Sequence, residues 1–65
     1  MSLNAWHLLA EMIEFPWCPI YADLVDRYSV QELADHGLIA IVRTMGGFPR
    51  LVPTNLGLHE YSVIN

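Results

Sequence analysis

His7 and Glu11 stand four residues apart and Glu14 follows three later, so on a helix one imidazole and two carboxylates would share a face, a donor set suited to a divalent metal. A further ligand would have to come from His36 or His59, and no spacing ties either to that face. With Asn4 the same side chains make an ordinary solvated stripe holding a weak intrahelical pair, and no metal site is assigned. Cys18, between Trp17 and Pro19, has no basic residue near it to lower its pKa, so it reads as a small apolar side chain or a helix cap rather than a nucleophile. His59-Glu60 lacks a partnering serine or cysteine at a recognised spacing, and Ser2, Ser29 and Ser62 lack a nucleophile elbow. Gly46-Gly47 has no lysine and no following helix of the phosphate-loop pattern. No catalytic residue, cofactor or small-molecule substrate is expected, and an enzyme is not.

The chain that must position these side chains has 65 residues, 54% of them hydrophobic and 15% charged, which is enough for one core and one domain, residues 1–65. Its longest apolar run, Leu38 to Val42, is far short of the roughly 20 residues that cross a bilayer, so the expectation is a cytoplasmic protein without membrane contact. The single cysteine permits no internal disulfide and no multi-cysteine zinc site. Seven acids against three arginines and no lysine give a net charge of −4. Nucleic-acid binding draws on cations that neutralise phosphates, so this balance counts against it.

Residues 3–15 read as a helix, because Asn4, His7, Glu11 and Glu14 fall on one stripe and the rest is apolar. Leu3, Trp6, Leu9, Ala10 and Ile13 cover one side and Ala5, Leu8, Met12 and Phe15 another, an arc wide enough to suggest burial on two sides. Pro16 and Pro19 end that helix and make an extended connection. A second helix is expected over 19–28, with Ile20, Tyr21, Leu24, Val25 and Tyr28 on one face. Ser29-Val30-Gln31-Glu32 matches a capping box, with Ser29 starting a third helix over about 30–36 and Glu32 reaching back to the Ser29 amide. Gly37 stops it, and Leu38 supplies the accompanying apolar contact. Residues 38–43 read as a strand, 44–47 as a hairpin turn and 48–52 as the returning strand, with Pro49 facing an edge or lying outside the ladder. Thr54 caps a last helical turn or two through Tyr61, with Gly57 inside it.

The fold class is therefore α+β and mostly α: three helices, a two-stranded hairpin and a short terminal helix. Leu33-Ala34-Asp35-His36-Gly37-Leu38-Ile39 and Leu51-Val52-Pro53-Thr54-Asn55-Leu56-Gly57 resemble the winged-helix family, a helix-turn-helix variant, at the passage from its third helix into the wing and from the wing into a final helix. In the second segment Pro and Thr are exchanged relative to the family's Leu-Thr-Pro-x-Gly, and one residue is added. The resemblance implies a wing at the hairpin and, in DNA readers, a third helix in the major groove. Here that helix would present Glu32 and Asp35 to phosphates.

The first functional expectation is a regulatory or interaction module acting by protein–protein contact. Its contacts would be Trp17, Met45, Phe48 and Arg50, with Glu32 and Asp35 as an acidic patch for a basic partner, because aromatics placed in connections are the side chains that anchor interfaces. The partner is another protein or a second copy, a homodimer through the first helix near Trp6 and Leu8. The alternative is a dimeric DNA-binding transcriptional regulator in which Gln31 reads a base and Arg27, Arg43 and Arg50 hold phosphates. A third reading is a subunit whose apolar surface is covered in a larger assembly.

Overall fold

A computed structural model describes residues 1–64, the last of them by its backbone. The order is α1 (Leu3–Glu14), β1 (Ile20–Tyr21), a 3-10 turn (Ala22–Leu24), α2 (Arg27–Asp35), β2 (Ile39–Arg43), β3 (Pro49–Pro53) and α3 (Asn55–Ile64). The architecture is α+β, with three α-helices and one antiparallel three-stranded sheet in the order β1-β3-β2.

The first helix lies where its polar stripe predicts. Ser2 caps it, its hydroxyl accepting from the Ala5 N–H at 3.3 Å, and Ala5, Leu8, Leu9 and Met12 are buried. The wide apolar arc is met within the chain, because α1 faces α2, β3 and α3 in turn. Of the residues expected near a dimer contact on α1, Leu8 is buried within the chain at 7% exposure and Trp6 is partly buried against the core, while Leu3 of the same arc is exposed.

The helix expected over 19–28 is absent. Ile20 and Tyr21 pair instead with Leu51 and Arg50, and the proposed apolar face is broken, with Leu24 and Tyr28 turned to solvent while Ile20, Ala22 and Val25 pack on the core. The expected helix of 30–36 is longer and starts earlier. Asp26 caps α2, its carboxylate accepting from the Tyr28 N–H and from the Ser29 hydroxyl, each at 3.1 Å. An aspartate is as good a cap as a serine, and this one wins because Ser29 is buried inside the first turn, where it cannot start a helix. Glu32 does not reach back to Ser29 either; it accepts from the Ser2 N–H and ties the start of α1 to α2.

The stop of α2 is as expected. Gly37 has φ +72°, its N–H donates to the Ala34 carbonyl and the Leu38 N–H donates to the Leu33 carbonyl, both at 3.0 Å. This paired-bond ending brings Leu38 onto Leu33, and both are buried.

The hairpin follows, closed by Thr44 donating to the Phe48 carbonyl and Gly47 donating to the Thr44 carbonyl. Its returning strand is central rather than peripheral, and it carries a proline at each end. Hydrogen-bond phase explains this. The Thr44 N–H bonds Phe48 and the Thr54 N–H bonds Leu38, so in the alternating antiparallel ladder residues 38, 40, 42 and 44 aim their backbone groups at β3. Pro49, Leu51 and Pro53 aim theirs at β1, so the missing donors of both prolines fall on that side and β1 is limited to two residues beside Leu51.

The last helix runs to Ile64, beyond the expected end at Tyr61. Thr54 caps it, accepting from the Gly57 N–H at 3.0 Å and donating to the Gly37 carbonyl at 2.7 Å. Gly57 has a packing reason to be inside: a Cβ there would sit 2.1 Å from the Leu38 carbonyl oxygen, so only glycine lets α3 rest on that backbone. The core is Ala5, Leu8, Leu9, Met12, Val30, Leu33, Leu38, Ile39 and Leu51.

Candidate protein-contact surface

Prolines set this surface up. With Pro16 and Pro19 bracketing it, the connection after α1 cannot continue the helix, so Phe15 and Trp17 are carried out of the core. The two rings meet edge to face at 5.8 Å, and Trp17 is 72% exposed. A second edge-to-face pair joins Tyr21 of β1 to Phe48 at the start of β3, at 6.0 Å, with Phe48 60% exposed.

Arg50 joins the two pairs. Strand register sets it beside Tyr21 on one flank and Val42 on the other, while its guanidinium donates to the Pro16 carbonyl at 3.3 Å, between Phe15 and Trp17 in the chain. The result is a continuous surface running Trp17, Phe15, Pro16, Arg50, Tyr21, Phe48. At its far end Met45 is fully exposed at the hairpin tip, and the Phe48 ring lies over Gly46, where a Cβ would meet ring carbons at 2.9 and 3.0 Å.

The structure brings together Trp17, Phe48, Arg50 and Met45 of the expected contacts and separates Glu32 and Asp35 from them. Those two are on α2, Glu32 half-buried and bonded to Ser2, Asp35 exposed and accepting from the Gln31 side-chain amide at 2.8 Å. Phe15 and Tyr21 were expected inside helices and are surface members instead. For Phe15 the signal was Pro16, which disfavours helical geometry at the residue before it, whereas no local signal marked Tyr21.

The nucleic-acid alternative fares less well in geometry. Arg27 and Gln31 are exposed on α2, but Gln31 is engaged with Asp35. Arg43 donates to the Gly47 carbonyl at 3.0 Å, and Arg50 is half-buried, its Nε shielded from solvent without a hydrogen-bond partner among the described residues. Two of the three expected phosphate ligands, Arg43 and Arg50, are thus engaged with carbonyls of the chain itself.

Among the described residues no three of His, Cys, Asp and Glu converge in a metal-holding arrangement, and Cys18 is exposed as a free thiol. Among them also no helix is long and apolar enough to cross a membrane. Compared with protein-family models, with curated proteins and with solved structures, the chain matches none of them.

Proposed function

We propose that this chain is a small acidic interaction module of winged-helix type, working in the cytoplasm by docking on another protein and not by catalysis. The observation that carries the reading is the aromatic surface joined by Arg50: exposed Trp17, Phe15 and Phe48 rings with half-buried Tyr21 and an arginine among them have the composition of an interface centre. The winged-helix part is supported by the passage of α2 through Gly37 into β2, and by the return of β3 through Pro53 into a Thr54-capped helix. In that reading the β2–β3 hairpin is the wing, α2 is the third helix, and the 3-10 turn stands where a second helix was expected. Carboxylates on α2 and a net charge of −4 favour protein over duplex DNA as the wing's partner.

The test pairs a titration with a capture. Random-sequence duplex DNA added at low salt is expected not to bind, since electrostatic affinity is greatest there. Protein captured from a lysate by the wild-type chain is expected to be lost with Phe48→Ala and with Trp17→Ala, while the circular dichroism spectrum stays unchanged. Duplex binding that weakens steeply with salt, or capture indifferent to both substitutions, would falsify this reading.

A further inference from the structure

Resting on the docking surface proposed above, we infer that its partner is a proline-rich segment in the polyproline II conformation, with arginine or lysine beside its prolines. The polar side chains of this surface are of one hydrogen-bonding kind. The Trp17 indole and the Arg50 guanidinium donate and cannot accept, and the Tyr21 hydroxyl can donate. Neither the run from Phe15 to Tyr21 nor the run from Phe48 to Arg50 contains a carboxylate or an amide side chain. Among the described residues the Trp17 indole and the Tyr21 hydroxyl have ring contacts but no hydrogen-bond partner, and Arg50 donates to a single carbonyl, that of Pro16.

Polyproline II complements such a surface. It has no internal hydrogen bonds, so its carbonyls are free to accept, and its prolines carry no N–H, which makes it rich in acceptors and poor in donors. Its conformation is set before binding, and its rings pack on aromatic side chains at low entropic cost. A helical ligand keeps its carbonyls for its own backbone and leaves the donors unmatched. An added strand needs a ladder, and β1, at this margin of the sheet, is two residues long and follows Pro19. The relief also suits successive rings. Glu11, Phe15, Cys18 and Ile20 line one crevice, and Pro16, Cys18, Ile20 and Arg50 are in the wall of another, so the two adjoin along the connection after α1.

Charge supplies the basic residues. Glu11 lines the first crevice with Phe15, Glu14 directly precedes Phe15, and Asp23 follows Tyr21 by two residues; all three acids are exposed. None of these carboxylates has an ion-pair or hydrogen-bond partner among the described residues. Three unpaired acids around the one arginine, on a chain of net charge −4, attract a cationic ligand and disfavour an acidic one.

The probe is an oligoproline peptide flanked by arginines, titrated into the isotope-labelled full chain. In the NMR spectrum the Trp17 indole N–H and the backbone amides around it are expected to shift saturably, with affinity falling as salt rises. Trp17→Ala leaves the fold intact because the ring is 72% exposed, and followed by the same amides it should weaken binding by about tenfold or more. Tyr21→Phe keeps the ring and removes the donor, and Glu11→Gln keeps the helix and removes the charge. Each should weaken binding severalfold, and Glu11→Gln should also flatten the salt dependence. A peptide of the same charge with alanine in place of proline should not bind. The inference is overturned by an oligoproline without effect at millimolar concentration, by equal affinity for the alanine peptide or for an oligoproline flanked by glutamates, or by binding that survives Trp17→Ala. If a lysate protein is captured through Trp17 and Phe48 while the oligoproline is ignored, the docking surface stands and its proline-rich partner falls. If capture fails as well, both fall.

Discussion

The two flanks of β3 hold similar apolar side chains in opposite circumstances. Against one flank lies α1, where Leu8, Leu9 and Met12 are covered by α2, α3 and the sheet. Against the other lie Phe15, Trp17, Tyr21 and Phe48, held in edge-to-face pairs around Arg50, with Tyr21 half-buried and the other three exposed. Hydrophobicity does not separate the two sets. What separates them is whether a further element passes over the side chain, and among the described residues none passes over the second set. The covered flank carries the stability, and the open flank is the surface proposed for docking.

That division can be broken most forcefully at Leu9, which has no solvent exposure. Leu9→Ala removes buried volume with α1 unable to collapse far, and should cost about 2–5 kcal/mol in urea unfolding. Trp17→Ala, though it deletes a larger side chain, should stay within about 0.5 kcal/mol, because little of the ring leaves water on folding. Comparable losses at the two positions would dissolve the distinction.

A somewhat smaller effect is expected where α3 closes the covered flank. Gly57→Ala forces a methyl onto the Leu38 carbonyl, so α3 must shift off it, at a cost of roughly 1–3 kcal/mol measured by thermal or urea unfolding. A neutral outcome would mean α3 does not rest on Leu38.

The smallest effect sharpens the comparison from the open side. Gly46→Ala pushes only against the outer carbons of the Phe48 ring, which is free to swing, so stability should change by less than about 0.5 kcal/mol. The Phe48 resonances should nonetheless move in an NMR spectrum, and capture of a protein partner should weaken. Unmoved resonances would show that the ring does not lie over the turn.

Much of this arrangement is legible in the residues. The stripe from Asn4 to Glu14, the stop at Gly37 and Leu38, the β-branched run to Arg43 and the cap at Thr54 are local signals, each read over a few neighbours, and each appears where expected. The segment 19–28 was not legible, because its apolar spacing suits a helix while its actual setting depends on the distant Leu51, whose N–H is the one that β3 turns toward β1 between its two prolines. The start of α2 was misjudged for a related reason: Asp26 and Ser29 are both good caps in isolation, and burial of Ser29 against the core decides between them. Within the proposed docking surface, Trp17, Met45 and Phe48 were legible from their place in connections and Phe15 in part from Pro16, whereas the inclusion of Tyr21 and the exclusion of Glu32 and Asp35 were not.

By itself the sequence determined one acidic α+β domain, a first helix with a wide apolar arc, a glycine-stopped helix leading into a hairpin, and an excess of aromatic residues over what a small core can hold. Periodicity, caps, turn residues and net charge are properties of neighbours in the chain, and they survive whatever the chain packs against. Tertiary structure alone decided that the arc of α1 is covered from within, that β3 lies between two strands, that Arg50 gathers four rings into one surface, and which backbone edge stays open. Each of those depends on which distant donors, carbonyls and side chains meet, and pairing over long separations is written in no local pattern.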